Sequence, residues 1–435
     1  MKSELQLIEF IRTLRLDDVD AAAVTTARRV LGGTMATTVA GALEDGVGPL
    51  RELLVRRSGT PTATSLVYGD RLPATSAALL NATMARALDY CDAMAPGVHV
   101  GSSVVPAALA MAEQAGGCSG EQFLRAVIIG CEVAARFNLT EAMYDGFDPT
   151  GVATVFGATA AAGVIAQLDD GQLHHALGLA LNRCGGSYQS NVDASLAVRL
   201  QQGVVAHAAV ECVEFAAVGI TGPAEFLGGV YGYAHLFARD RGFAQEVVDG
   251  LGDDWRLTGF MFKKFPSCGA TQGVTQLALD LARELETRGD DVDRIAVTLT
   301  PYCHRLVGNP FSIGANPRVS GQFSVQYCVA SAVARGVAGL REFSPEAVSD
   351  PQLTRLIDLV EVSADAALDR RGHSAVDIEI RMHDGRVERR GYDTSPGYPG
   401  NELSDADHRR RFDDCMAYAE LRLAPGAVDD VRSFV

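Results

Sequence analysis

Asp89, Asp92 and His99 are the residues whose types and spacing could do acid–base chemistry. They stand in LDYCDAMAPGVHVGSS, with the two carboxylates three residues apart. A carboxylate that orients an imidazole keeps it in one tautomer, ready to take a proton near neutral pH. Just beyond, Ser102 or Ser103 is placed to cap a helix, and a helix N-terminus favours anions. Together these groups suit proton transfer on a carboxylate substrate. The plainer reading is a solvated helix end beside a surface histidine.

The elements that must position these residues span 75–117. Residues TSAALLNATMARALDYCDA are rich in Ala and Leu and lack Gly and Pro, which predicts a buried helix. Asp89 and Asp92 would close that helix and share one face. Negative charge at a helix C-terminus opposes the dipole, so some other group must favour it. Ala95-Pro96-Gly97 breaks the helix and leaves His99 in a loop. Pro106 is then tolerated in the first turn of the next helix.

The whole chain has 435 residues, 47% of them hydrophobic, and a net charge of −16. That length supports two or three domains. The negative charge argues against a nucleic-acid backbone or an anionic membrane as partner, though not against a small anionic substrate. MKSELQLIEFIRTLRLDDVD carries acids and no apolar run of the signal-peptide kind, and no stretch of about 18 apolar residues occurs. A cytoplasmic protein is expected. The nine cysteines form no C-x-x-C pair and none has a histidine at zinc-ligand spacing, so no metal is expected and most read as small buried hydrophobes. No Walker loop and no G-x-G-x-x-G between strand and helix suggests a nucleotide.

In chain order, residues 4–58 suggest two amphipathic helices and 61–74 a short extended piece. Ser119 predicts the cap of a helix over 121–138, with Glu132 and Arg136 on its polar side. Asp148-Pro149 starts a helix over 147–168 whose Ala and Gly content implies close helix contacts. A helical pair, 171–182 and 195–219, flanks the polar loop CGGSYQSNVD. After Phe260 the pattern changes to a cationic pair, a helix and a β-branched strand. AVDIEIRMHDGRVERRG predicts a hairpin turning at Asp384-Gly385, and FSVQYCVASAVARG a buried helix. The expected fold is mainly α, with a large helical domain (1–265), a smaller α+β lid (266–395) and a helical segment (396–435) returning to the first.

NATMARALDYCDA, HVGSSVVPAALAMAE, PTGVATVFGATAAA, GITGP, KKFPSCGATQ, GQFSVQY and GYPGNELSDADHRRRF, in this order and spacing, resemble the MmgE/PrpD family nearly end to end. That family includes 2-methylcitrate dehydratases, cis-aconitate decarboxylases and an iminodisuccinate epimerase. The resemblance implies a homodimer that needs no cofactor, with its active site between a helical domain and an α+β lid. It places the family's catalytic Asp and His on Asp89 and His99, matches Asp92, and puts a site lysine on Lys263 or Lys264. It also marks departures. Ala93 stands for a threonine, Asp148 for a histidine, Val198 for a lysine, Gln201 and Gln272 for histidines. Either Tyr302 or Leu306 takes a tyrosine's place.

The roles that follow are His99 as general base, Asp89 as its partner, and Lys263 or Lys264 stabilising enolate charge. Asp92, Ser102, Asp148, Cys268, Gln272 and Tyr302 are expected to contact substrate. Arg199 is expected to hold a second anionic group, with a surface ion pair as the alternative. A nucleophilic Cys268 is disfavoured, since only the lysines could lower its pKa. The expected activity is a cofactor-independent lyase acting on a small carboxylate by α-proton abstraction. The lost lysine and the carboxylate at 148 speak against the methylcitrate reaction. An isomerase, epimerase or cyclase acting on an amino- or imino-carboxylate is second, and a silent ligand-binding member third.

Overall fold

Helix α7 (Pro149–Ile165) contains no charged residue and is buried along its length except at Val164. A helix apolar all round has to lie inside a layer of other helices. In the computed structural model, which describes residues 2–57 and 59–420, that layer is α5 (Gly101–Gln114), α6 (Gly120–Arg136), α8 (Asp170–Leu181) and α10 (Ala197–Ala217). The close contact anticipated from its small residues is real. A Cβ on Gly157 would stand 2.2 Å from the Gly130 carbonyl oxygen, so glycine is what lets α6 and α7 touch backbone to backbone.

Three helices, not two, precede residue 58: α1 (Lys2–Thr13), α2 (Ala21–Gly41) and α3 (Val47–Arg57). The extra break follows Gly46, whose φ of 86° is open to glycine and costly for other residues. A two-residue antiparallel ribbon, β1 (Ala63–Thr64) with β2 (Arg71–Leu72), leads into α4 (Ala74–Arg86). Short α9 (Gln189–Val192) lies in the polar loop before α10, and α11 (Phe243–Val248) follows it. Glu132 and Arg136 do not face solvent as expected. Both are fully buried, with Arg136 Nε donating to Glu132 at 2.6 Å. The other guanidinium N–H groups go to the carbonyls of Val247, Asp249, Gly250 and Asp254, and Glu132 accepts the Arg256 and Leu257 amides. The pair is inside because it satisfies carbonyls and amides of the 247–257 loop.

One further ribbon matters most for function. β3 (Asp92–Ala93) pairs antiparallel with β4 (Met261–Phe262), Asp92 opposite Phe262, which ties residues 170 positions apart to each other. Beyond β4 begins the smaller α+β domain. Its sheet runs β6 (Val360–Ala364), β5 (Val292–Leu299), β7 (Val376–Met382), β8 (Val387–Tyr392), with β5–β6 parallel and the rest antiparallel. The hairpin turns at Asp384-Gly385 as the sequence suggests, with Gly385 at φ 92°. α12 (Gln272–Glu284) lays Val274, Leu277, Ala278 and Leu281 on alternate residues of β7, namely Ile378 and Ile380, alongside α15 (Val325–Arg335). Shorter helices α13 (Pro301–Val307), α14 (Pro317–Gln322), α16 (Pro345–Val348) and α17 (Thr354–Asp358) complete this domain.

The last described helix, α18 (Asp405–Glu420), packs Cys415, Met416 and Ala419 against Ala36, Val39 and Ala40 of α2. The rest of the expected C-terminal helical segment, 421–435, lies outside the described residues. The architecture is thus mainly α, a large helical domain with a smaller α+β one. All nine cysteines are free, and seven are buried. Among the described residues no helix is long and apolar enough to cross a membrane, and no three His, Cys, Asp or Glu side chains are grouped to hold a metal.

Gly157→Ala is expected to destabilise the protein by about 1–3 kcal/mol, because α6 cannot retreat from α7 without opening the core. Gly33→Ala, in α2 with no atom within 4 Å of the new Cβ, should instead stabilise by up to about 1 kcal/mol. Denaturant midpoints of the two variants measure the contrast.

Candidate active site

Helix α4 ends earlier than its composition suggests, at Arg86, and so Asp89 and Asp92 do not share a helical face. Asp89 adopts the left-handed conformation at φ 50°, which an aspartate tolerates better than most residues. This turn brings its carboxylate back to Arg86, which donates to Oδ1 from Nη1. Lys263 Nζ lies 2.7 Å from the same oxygen. All three groups are buried, and the second oxygen of Asp89 has no partner among the described residues. The other group that had to favour an acid past the helix end is therefore a pair of cations.

Asp92, two residues into a different path, does another job. Its carboxylate accepts the amides of Val100 at 3.2 Å and Gly101 at 3.0 Å, and so caps α5. Ser102 and Ser103 are not the caps. Both lie inside the helix, where Ser103 donates to Gln202 and the Ser102 hydroxyl is buried without a partner. Asp92 reaches the cap first because β3 holds it over the helix axis.

His99 sits between these two aspartates without a hydrogen bond to either carboxylate. Nδ1 is 3.0 Å from the Asp92 carbonyl oxygen, and Nε2 is 3.3 Å from Arg86 Nη2. A carbonyl only accepts and a guanidinium only donates, so Nδ1 carries the proton and Nε2 presents its lone pair. The expected Asp89–His99 orienting bond is thus replaced by a backbone carbonyl. Thr150 and Thr154 of α7 fix the His99 main chain, through its N–H at 3.0 Å and its carbonyl at 3.2 Å.

Lys263 and Lys264 part company because successive side chains on an extended segment face opposite ways. Lys263 faces Asp89; Lys264 lines a separate cleft with Asp407 and Arg410. Gln272 is buried and clamps the intervening loop, accepting the Lys264 and Phe265 amides and donating to the Phe265 carbonyl.

A cavity of about 70 Å³ brings together Arg86, Asp89, His99, Asp148, Lys263, Cys268 and Tyr302. Of the residues singled out from the sequence, Asp92, Ser102, Arg199, Lys264 and Gln272 are not in its wall. Arg199 is buried outside this wall and donates to the Asp45 carbonyl at 3.2 Å. Tyr302 enters from the smaller domain and donates to the Pro96 carbonyl at 2.7 Å, while Leu306 and Val198 also line the wall. Sequence reasoning missed Arg86, Thr150, Tyr188, Asn191, His373 and Tyr398. Only Arg86 left a signal, as an arginine three residues before Asp89 in an otherwise apolar helix.

The electrostatics follow from burial and the two cations. Burial works against the Asp89 carboxylate, but Arg86 and Lys263 outweigh it and hold its pKa well below the usual range. Burial, then Arg86 and Lys263, push the His99 pKa well below that of a free imidazole, so the ring is neutral at neutral pH. Asp148, the cap of α7, accepts the Gly151 amide at 3.1 Å; burial still raises its pKa. Burial pushes the Cys268 thiol up to about 11, which leaves it protonated. An imidazole whose lone pair faces a guanidinium N–H can take a proton once that N–H is drawn away, while the two cations bind the resulting charge.

The MmgE/PrpD N-terminal domain matches residues 5–246 and the MmgE/PrpD C-terminal domain residues 265–421. A cis-aconitate decarboxylase-like protein, oryM of Aspergillus oryzae, is 26% identical over 349 residues, covering 74% of this chain and 71% of that protein.

Two outcomes are expected from these geometries. Asp89→Asn keeps the left-handed turn but leaves two buried cations without a counter-charge, at a cost of about 3–5 kcal/mol in a denaturant titration. His99 has a lowered folded pKa, so below the unfolded value the unfolded chain binds a proton that the native one refuses. Stability from this group is full above pH 6.5 and falls as pH drops through that value. His99→Gln should flatten the loss of thermal stability between about pH 6.5 and 5; an unchanged slope counts against a buried neutral ring.

Proposed function

Because the chain belongs to the MmgE/PrpD family, which supports a lyase of the dehydratase or decarboxylase type, we propose that it is a cofactor-independent lyase acting on a small carboxylate by α-proton abstraction. The observation that carries this reading is the neutral His99 whose Nε2 lone pair lies beside Arg86, with Lys263 on the far side of Asp89.

A substrate carboxylate accepts from Lys263 and Arg86, and in doing so draws the Arg86 N–H away from His99 Nε2. The freed lone pair takes the proton from the α-carbon. The electrons of that C–H bond move into the carboxylate as an enediolate, whose second charge the same two cations stabilise. In dehydration the β-carbon–oxygen bond then breaks and hydroxide leaves as water with a proton from the imidazolium. In decarboxylation the carbon–carboxylate bond breaks instead of the C–H bond, CO2 leaves, and the electron pair left on carbon takes a solvent proton relayed through His99. Asp89 keeps the imidazolium accessible, since its charge offsets the cations that disfavour protonation of His99. The Cys268 thiol and the Tyr302 hydroxyl shape the wall as neutral groups. Two copies of the chain are proposed as the assembly, a particle mass that light scattering reads directly.

The test is solvent exchange. Purified protein in D2O with small mono-, di- and tricarboxylates should label the α-carbon of its substrate, as seen by NMR, and release water or CO2. His99→Ala should slow that exchange about 10²–10⁴-fold, and Lys263→Met should slow it while preserving the fold. Exchange that survives in His99→Ala, or none with any acid, would overturn the proposal. Exchange with inversion and no released product would convert it to an epimerase.

A further inference from the structure

We infer, on the footing of that lyase reading, that the cavity takes a small zwitterion, an amino-acid-type substrate with one carboxylate at Arg86–Lys263 and one protonated nitrogen at Asp148. The formal charges in the wall are two cations, Arg86 and Lys263, and two carboxylates, Asp89 and Asp148. Asp89 engages both cations through a single oxygen, so the three together carry one surplus positive charge. One substrate carboxylate cancels it. A second or third would stand in a buried cavity uncompensated, beside Asp148.

Two other anion sites that the fold could have offered are already taken. The N-terminus of α5 is capped by Asp92 and that of α7 by Asp148, each with its own carboxylate. A helix N-terminus filled in this way repels a substrate anion that it would otherwise hold. Asp148 is the one acid of the pair that also reaches the cavity. It is nearly buried, and beside its bonds to Gly151 and Thr150 its carboxylate still borders the cavity. An ammonium group beside it would supply the missing counter-charge.

Size points the same way. At 10–15 Å³ for each water-sized group, the cavity of about 70 Å³ holds roughly five to seven such groups. That is the scale of a small amino acid.

Calorimetric titration of the full chain with a matched series tests the idea: alanine and β-alanine, propionate, succinate and citrate. Wild type should bind an amine-bearing member about tenfold or more tighter than propionate or citrate. Asp148→Asn keeps a good helix cap and should lose that preference, binding the amine about tenfold more weakly and the acids more tightly. Should the variant fail to fold, the wild-type series decides alone. Equal or tighter binding of citrate or propionate by wild type, or binding of no member, overturns the inference; so does an Asp148→Asn variant that folds and keeps the preference. Binding is separable from turnover. Amine preference without exchange sinks the lyase and spares the ligand class, whereas exchange confined to acids without nitrogen does the reverse.

Discussion

The shared oxygen of Asp89 is the constraint on which the rest of this structure depends. Arg86 and Lys263 are buried cations that would repel one another without it. They come from segments far apart in the chain, and the β3–β4 ribbon brings them within reach. The ribbon needs the chain to leave α4 at Arg86, and the left-handed turn at Asp89 provides the exit. Remove the carboxylate and the cations, the histidine they depress and the ribbon that aligns them lose their common reference. A buried pair of this sort contributes little net stability, so its retention is better understood as positioning.

Carboxylates do unlike work here according to which backbone amides they meet. Asp92 and Asp148 terminate helices, Asp89 bridges cations, and Glu132 satisfies a loop. Each is buried, and each is paired or hydrogen-bonded, as the cost of isolated buried charge requires. His99 is placed by the same economy of contacts. Its main chain hangs from two threonines of the most buried helix and its ring from the Asp92 carbonyl, so the imidazole is placed by groups that do not titrate.

The close approach of α6 and α7 fixes where this wall stands. Glycine at 130 and 157 lets the helices meet at backbone distance, and α7 carries Thr150 and Thr154 to His99. The smaller domain touches the same loop from the other side through Tyr302 and Pro96. The cavity is therefore bordered by elements of two separate hydrophobic cores.

Much of this was legible along the chain, because secondary structure and packing follow local pattern. The helical and α+β division, the Asp148-Pro149 start of α7, its close contacts, the hairpin at Asp384-Gly385 and the candidate pair Asp89 and His99 could all be read from residue types and spacing. Tertiary structure alone decided which groups meet. Glu132 and Arg136 looked like a surface pair until a distant loop supplied their partners. Asp89 looked like an orienter of His99, yet the cation that claims it lies 174 residues away, beyond any periodicity. Lys263 and Lys264 were indistinguishable until an extended backbone turned one inward. Arg199, Ser102 and Gln272 had suitable chemistry but stand outside the cavity wall. Helical period and turn chemistry are short-range and so appear in sequence; the sharing of one buried oxygen by two cations is long-range, and only the folded chain contains it.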